Sequence, residues 1–117
     1  MAVRIYHNPR CSKSRQTLQL IEEQKIKPII IEYLKSPPTK SEFKQILKLL
    51  KLTARDLLRK KEPEYAEHGL DDPSLSEEHI IDIMIKNPKL IERPIVVTHD
   101  SAAIGRPPEK VLEILSD

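Results

Sequence analysis

The sequence predicts one α/β domain with a mixed four-stranded sheet and a helical insertion between a βαβ half and a ββα half. Three observations predict it. Short β-branched apolar runs stand near both ends of the chain, at residues 3–6, 28–34 and 94–97. A helical pattern bridges the first two runs, which makes them a parallel βαβ pair. The segment between the second and third runs carries helix caps and apolar residues at helical spacing instead of strand alternation.

The elements follow in order. Residues 3–6 alternate, Asn8-Pro9 marks a turn, and a helix is expected from Ser12 or Ser14 to about Gln24, with Leu18 and Ile21 on its apolar face. Pro28 starts a β-branched run, Ile29-Ile30-Ile31, which reads as a buried strand. Ser36-Pro37-Pro38 closes it. Thr39 followed by Glu42 has the reciprocal capping-box pattern, and Phe43, Ile46, Leu47 and Leu50 form a core-facing stripe. A short helix is expected from about Thr53 to Lys60, carrying Leu57 and Leu58. One or two turns over 63–68 stop at Gly69. Ser76 caps a helix that Asn87-Pro88 ends. Pro94 opens a short apolar strand, Ala102-Ala103-Ile104 returns antiparallel, and Pro107-Pro108 starts a last helix with Val111, Leu112 and Leu115 inward. The sheet half should therefore comprise about 1–35 and 90–117, and the insertion about 39–88, within one domain spanning 1–117.

Bulk properties narrow the function. A net charge of +2 gives no strong attraction to a polyanion or a membrane surface. Aromatic side chains are confined to Tyr6, Tyr33, Phe43 and Tyr65, too few for a nucleic-acid stacking platform. There is no apolar run near membrane-spanning length, and one cysteine allows no internal disulfide, so a cytoplasmic protein is expected. His7, His68, His79 and His99 lack ligand spacing, and no metal is expected.

The lone cysteine is the most informative residue. Cys11 stands where a strand turns into a helix, beside the N–H groups that have no partner within the helix. Arg10, Lys13 and Arg15 lie within four residues of it. All of these favour the thiolate, the nucleophilic form. The alternative is a small core residue, but Arg10, Ser12, Lys13 and Ser14 do not form a core stripe. Arg59, Arg93 and Arg106 each stand at an element boundary, the last two beside prolines, and the Arg93-Pro94 bond is a candidate for the cis form. Guanidinium forks match tetrahedral oxyanions, although each alone also reads as an ordinary surface arginine.

Four blocks together resemble the glutaredoxin-coupled arsenate reductase family: residues 6–15, 57–60, 92–97 and 105–109. The resemblance runs over essentially the whole chain and implies a thioredoxin-like fold with a helical insertion. It makes Cys11 the nucleophile and Arg59, Arg93 and Arg106 the holders of the oxyanion. Pro94 takes the place of the structural cis-proline, and His7 and Ser14 tune the thiolate. Some members have a small residue where this chain has Arg10. The implied reaction reduces arsenate, or a similar oxyanion, to arsenite through a thio-arsenate adduct on Cys11. Glutathione is the implied co-substrate, glutaredoxin the protein reductant, no cofactor is bound, and the chain is expected to be a monomer.

Two rivals remain beside that reading. One is a single-thiol, glutathione-dependent disulfide exchange enzyme; the other is a regulatory module docking on RNA polymerase. Ser14 stands where a Cys-x-x-Cys motif has its second thiol, and Thr17 stands where a cysteine phosphatase places its arginine. Internal disulfide cycling is thereby excluded, and phosphatase chemistry is disfavoured.

Overall fold

The computed structural model describes residues 2–115. Two compact units make up the chain: Met1–Ser36 with Arg93–Asp117, and Pro37–Glu92.

The first unit holds the sheet. Strands β1 (Arg4–Tyr6), β2 (Ile29–Ile31), β3 (Ile95–Val97) and β4 (Ala102–Ile104) are ordered β2-β1-β3-β4. β1 runs parallel to β2, with Ile5 opposite Ile30, and antiparallel to β3, with Ile5 opposite Val96. β4 returns against β3, pairing Ala103 with Val96. The sheet is mixed because helix α1 (Ser12–Glu23) makes the β1–β2 crossover, whereas a tight turn at 98–101 joins β3 to β4. Val3, Ile5, Ile21, Val96, Val111 and Leu115 form its core. Each fully enclosed aliphatic side chain contributes about 1.5–3 kcal/mol relative to exposure.

Two expectations fail here for the same reason, that a residue at a margin has no layer outside it. β2 is an edge strand, so Ile29 and Ile30 are 57% and 48% exposed rather than buried. Leu112 likewise faces outward at 36% exposure, while Val111 and Leu115 point in. The last helix also begins as a 3-10 turn over Pro108–Val111, and only Leu112–Leu115 (α5) is α-helical.

The second unit is helical. Helix α2 (Lys40–Leu50) opens on the Thr39–Glu42 capping box and buries Phe43, Ile46 and Leu47, with Leu50 half-buried. Helices α3 (Pro63–Glu67) and α4 (Glu77–Lys86) follow; Ser76 accepts the His79 N–H at the start of α4. Ile80, Ile81, Ile83 and Met84 are buried on α4, which packs against α2 and against 3-10 turns at Ala54–Leu57 and Pro88–Leu90. The helix expected from Thr53 to Lys60 is only that 3-10 turn. Leu58 leaves it to bridge Ile91, and the Arg59 N–H bonds the Leu90 carbonyl at 2.8 Å, so the backbone groups a longer helix would use are committed to extended pairing.

Candidate active site

The site of the first unit is built on the loop joining β1 to α1. Cys11 is the N-cap of α1, in extended conformation, and is buried at 7% exposure. Asn8 fixes the approach: its carbonyl accepts the Cys11 N–H at 3.0 Å and its side chain accepts the Arg10 N–H at 3.0 Å. Arg15 reaches back from α1 to the Pro9 carbonyl at 2.9 Å, tying the helix to the loop. A loop held by its own polar groups presents its sulfur in one place.

Two arginines meet that sulfur from the far end of the chain. Arg106 Nη2 donates to Cys11 Sγ at 3.6 Å, and the Arg93 guanidinium also hydrogen-bonds the sulfur. Arg106 Nε donates to the Arg93 carbonyl oxygen at 2.7 Å, so the second guanidinium is braced on the backbone of the first. Their positions come from two turns. The Arg93-Pro94 and Arg106-Pro107 bonds are both cis, one leading into β3 and the other leaving β4. The Gly105 N–H bonds the Pro94 carbonyl at 2.9 Å.

Electrostatics at the sulfur follow from this arrangement. Burial pushes the Cys11 thiol up; the N–H of Ser14, the hydrogen bond and charge of Arg93, and the N–H of Lys13 outweigh it and hold the thiol below its ordinary value. No cap hydrogen bond of normal geometry closes on the Cys11 side chain, yet the helix-start dipoles still favour a charged sulfur. The cations that reach the thiol are thus Arg93 and Arg106, 82 and 95 residues away in sequence, rather than the neighbouring Arg10, Lys13 and Arg15 expected from local spacing.

His7 and Ser14 form a second tier. Ser14 is fully enclosed, and its Oγ lies 2.6 Å from His7 Nδ1 while accepting the Asn8 N–H at 3.0 Å. Burial lowers the His7 pKa below its ordinary value of 6.5; Glu32 opposes that shift and Arg15 adds to it. A neutral imidazole can accept a hydrogen bond from the Ser14 hydroxyl at Nδ1, which holds in place the residue whose backbone N–H acts on the sulfur.

Arg59 belongs to the other unit. Its Nη1 and Nη2 donate to Glu92 at 3.3 Å and Glu62 at 3.5 Å, and its side chain is 20% exposed. Two residues mattered that the sequence reading had not placed in the site, Thr17 and Gly105. Thr17 Oγ1 donates to the Lys13 carbonyl at 2.7 Å and lies 3.5 Å from the Gly105 carbonyl. A Cβ on Gly105 would strike Thr17 and stand 2.8 Å from Pro94 Cγ. The signal was available: the chain has only two glycines, and one directly precedes Arg106. Among the described residues, no group of three His, Cys, Asp or Glu side chains could hold a metal ion, and no helix is long and apolar enough to cross a membrane.

Sheet order, cis-proline and an N-cap thiol faced by guanidinium groups define a thioredoxin-like domain with a single cysteine. The chain belongs to the ArsC family, whose model matches residues 6–114. It is 54% identical to an uncharacterized Escherichia coli protein, YfgD, over 97% of this chain and 96% of that one. It is 45% identical to the arsenate reductase of Rhizobium meliloti, over 100% of this chain and 84% of that protein. The solved structure of an arsenate reductase from Vibrio cholerae superposes with a TM-score of 0.95 at 51% identity, covering 98% of each chain.

Proposed function

We propose that this chain reduces arsenate to arsenite, with glutathione and glutaredoxin supplying the electrons through Cys11. The observation that carries the reading is the Cys11 sulfur facing both the Arg93 and Arg106 guanidinium groups at the start of α1. Relatives named arsenate reductase, matched over nearly the whole chain, support arsenate as the oxyanion.

The Cys11 thiolate attacks arsenic, an As–S bond forms, and an oxygen leaves as water after protonation. Arg93 and Arg106 donate to the equatorial oxygens, where charge gathers. Reduction from As(V) to As(III) needs two electrons. With one cysteine in the chain, the second thiol has to come from another molecule. Glutathione thiolate attacks the Cys11 sulfur, an S–S bond forms, the As–S bond breaks, and its electron pair stays on arsenic as arsenite departs. A glutaredoxin thiol then takes the glutathione and frees Cys11. No bound cofactor enters these steps.

The test is arsenate-dependent oxidation of glutathione with glutaredoxin present. Turnover that depends on arsenate and vanishes in Cys11→Ser supports the reading. A well-folded native chain that exchanges glutathione with a model disulfide yet ignores arsenate would overturn it in favour of simple disulfide exchange.

A further inference from the structure

A cleft of about 350 Å³ opens beside the nucleophile's loop. Its walls are His7, Pro9 and Arg10 on one side and Glu32, Leu34 and Lys35, which follow β2, on the other. No step assigned above uses it. We propose that this cleft binds the peptide moiety of glutathione and delivers its thiol to the Cys11 adduct.

Charge, size and position carry the inference. Glutathione bears two carboxylates and one ammonium at neutral pH. The cleft offers two cations, Arg10 and Lys35, and one carboxylate, Glu32, so each charge of the ligand has a counterpart of opposite sign. The Glu32 and Lys35 side chains meet in a 3.7 Å ion pair while 46% and 80% exposed, and are therefore open to exchanging that contact for a ligand's. The volume lies at the small end of ligand clefts, appropriate to a tripeptide. Position agrees with this: Arg10, which lines the cleft, is the chain neighbour of Cys11, so a peptide held there lies against the loop that carries the sulfur. Leu34, exposed at 37%, supplies apolar contact for the peptide's methylene groups.

The inference rests on the reading of glutathione as co-substrate, but its test does not require arsenate. S-methylglutathione has the charges and no free thiol. Binding to the native chain is read by calorimetry and by amide shifts of residues 7–10 and 32–35. Saturable binding that weakens by about fivefold or more in Lys35→Glu and again in Glu32→Lys supports the site, whatever the arsenate turnover. Lys35→Arg should retain binding. No detectable binding at millimolar S-methylglutathione, or binding indifferent to both charge reversals, overturns it even where arsenate is reduced normally. Failure of arsenate turnover with binding intact overturns only the arsenate reading. The substituted side chains are 80% exposed at Lys35 and 46% exposed at Glu32, and unchanged circular dichroism and melting temperature check that each variant keeps the fold.

Discussion

Cys11 Sγ and Arg106 Nη2 lie 3.6 Å apart although 95 residues separate them in the chain. The contact joins the start of α1 to the turn leaving β4, and Arg106 Nε is simultaneously anchored on the Arg93 carbonyl. One sulfur, two guanidinium groups and one backbone oxygen thus form a connected unit. Its behaviour leads to the expectations below.

The thiol should ionise below its ordinary value. Alkylation of Cys11 followed against pH will show its inflection below that of a free thiol, because the Ser14 and Lys13 N–H groups and Arg93 overcome the effect of burial. Arg93→Ala should move the inflection upward and slow alkylation at neutral pH. An unmoved inflection would remove Arg93 from the activation of the sulfur.

Lysine should not replace arginine at 106. Arg106→Lys keeps the charge but loses the fork that reaches the sulfur and the Arg93 carbonyl together. We expect arsenate turnover to fall by about tenfold or more, equivalent to ~1.4 kcal/mol or more in the barrier. Full activity in Arg106→Lys, measured by steady-state kinetics, would show that charge alone suffices.

Gly105→Ala should destabilise the first unit and weaken the site together. The added methyl meets Thr17 and comes within 2.8 Å of Pro94 Cγ, and both neighbours are enclosed in structure that cannot easily yield. The expected loss is about 1–3 kcal/mol in urea unfolding, with slower Cys11 alkylation as Arg106 is displaced. A neutral substitution would mean that the β4 turn gives way at little cost.

His7 should make the protein acid-sensitive. Its folded pKa is lowered, so the unfolded chain binds the proton more readily. Stability from a neutral His7 is complete above the unfolded value of 6.5 and is lost as pH falls through the lower folded value. Below 6.5 the native chain's urea midpoint should therefore drop more steeply than that of His7→Asn. Parallel curves would show that His7 does not stay neutral in the fold.

The sequence was most legible where chemistry is local. The Thr39–Glu42 capping box and the Ser76 cap are contained within a few residues, and both form as expected. The parallel pairing of β1 with β2 followed from the crossover helix alone. What depends on non-local neighbours was hidden. Ile29 and Ile30 have the composition of an interior strand, yet sheet order puts them at an edge. Leu58 has the spacing of a helix residue, yet Ile91 recruits it into a bridge. At the site, Cys11 could be singled out by its place at a helix start. Its guanidinium partners could not be read from local spacing, because only folding brings Arg93 and Arg106 to it.

That distance along the chain has a consequence during synthesis. A nascent polypeptide whose residues 93 and 106 are still within the ribosome has neither guanidinium available to its single sulfur. Until then the thiol is comparatively inert toward oxidants and electrophiles. Its reactivity arrives only once both arginines have emerged and the fold able to use it can close.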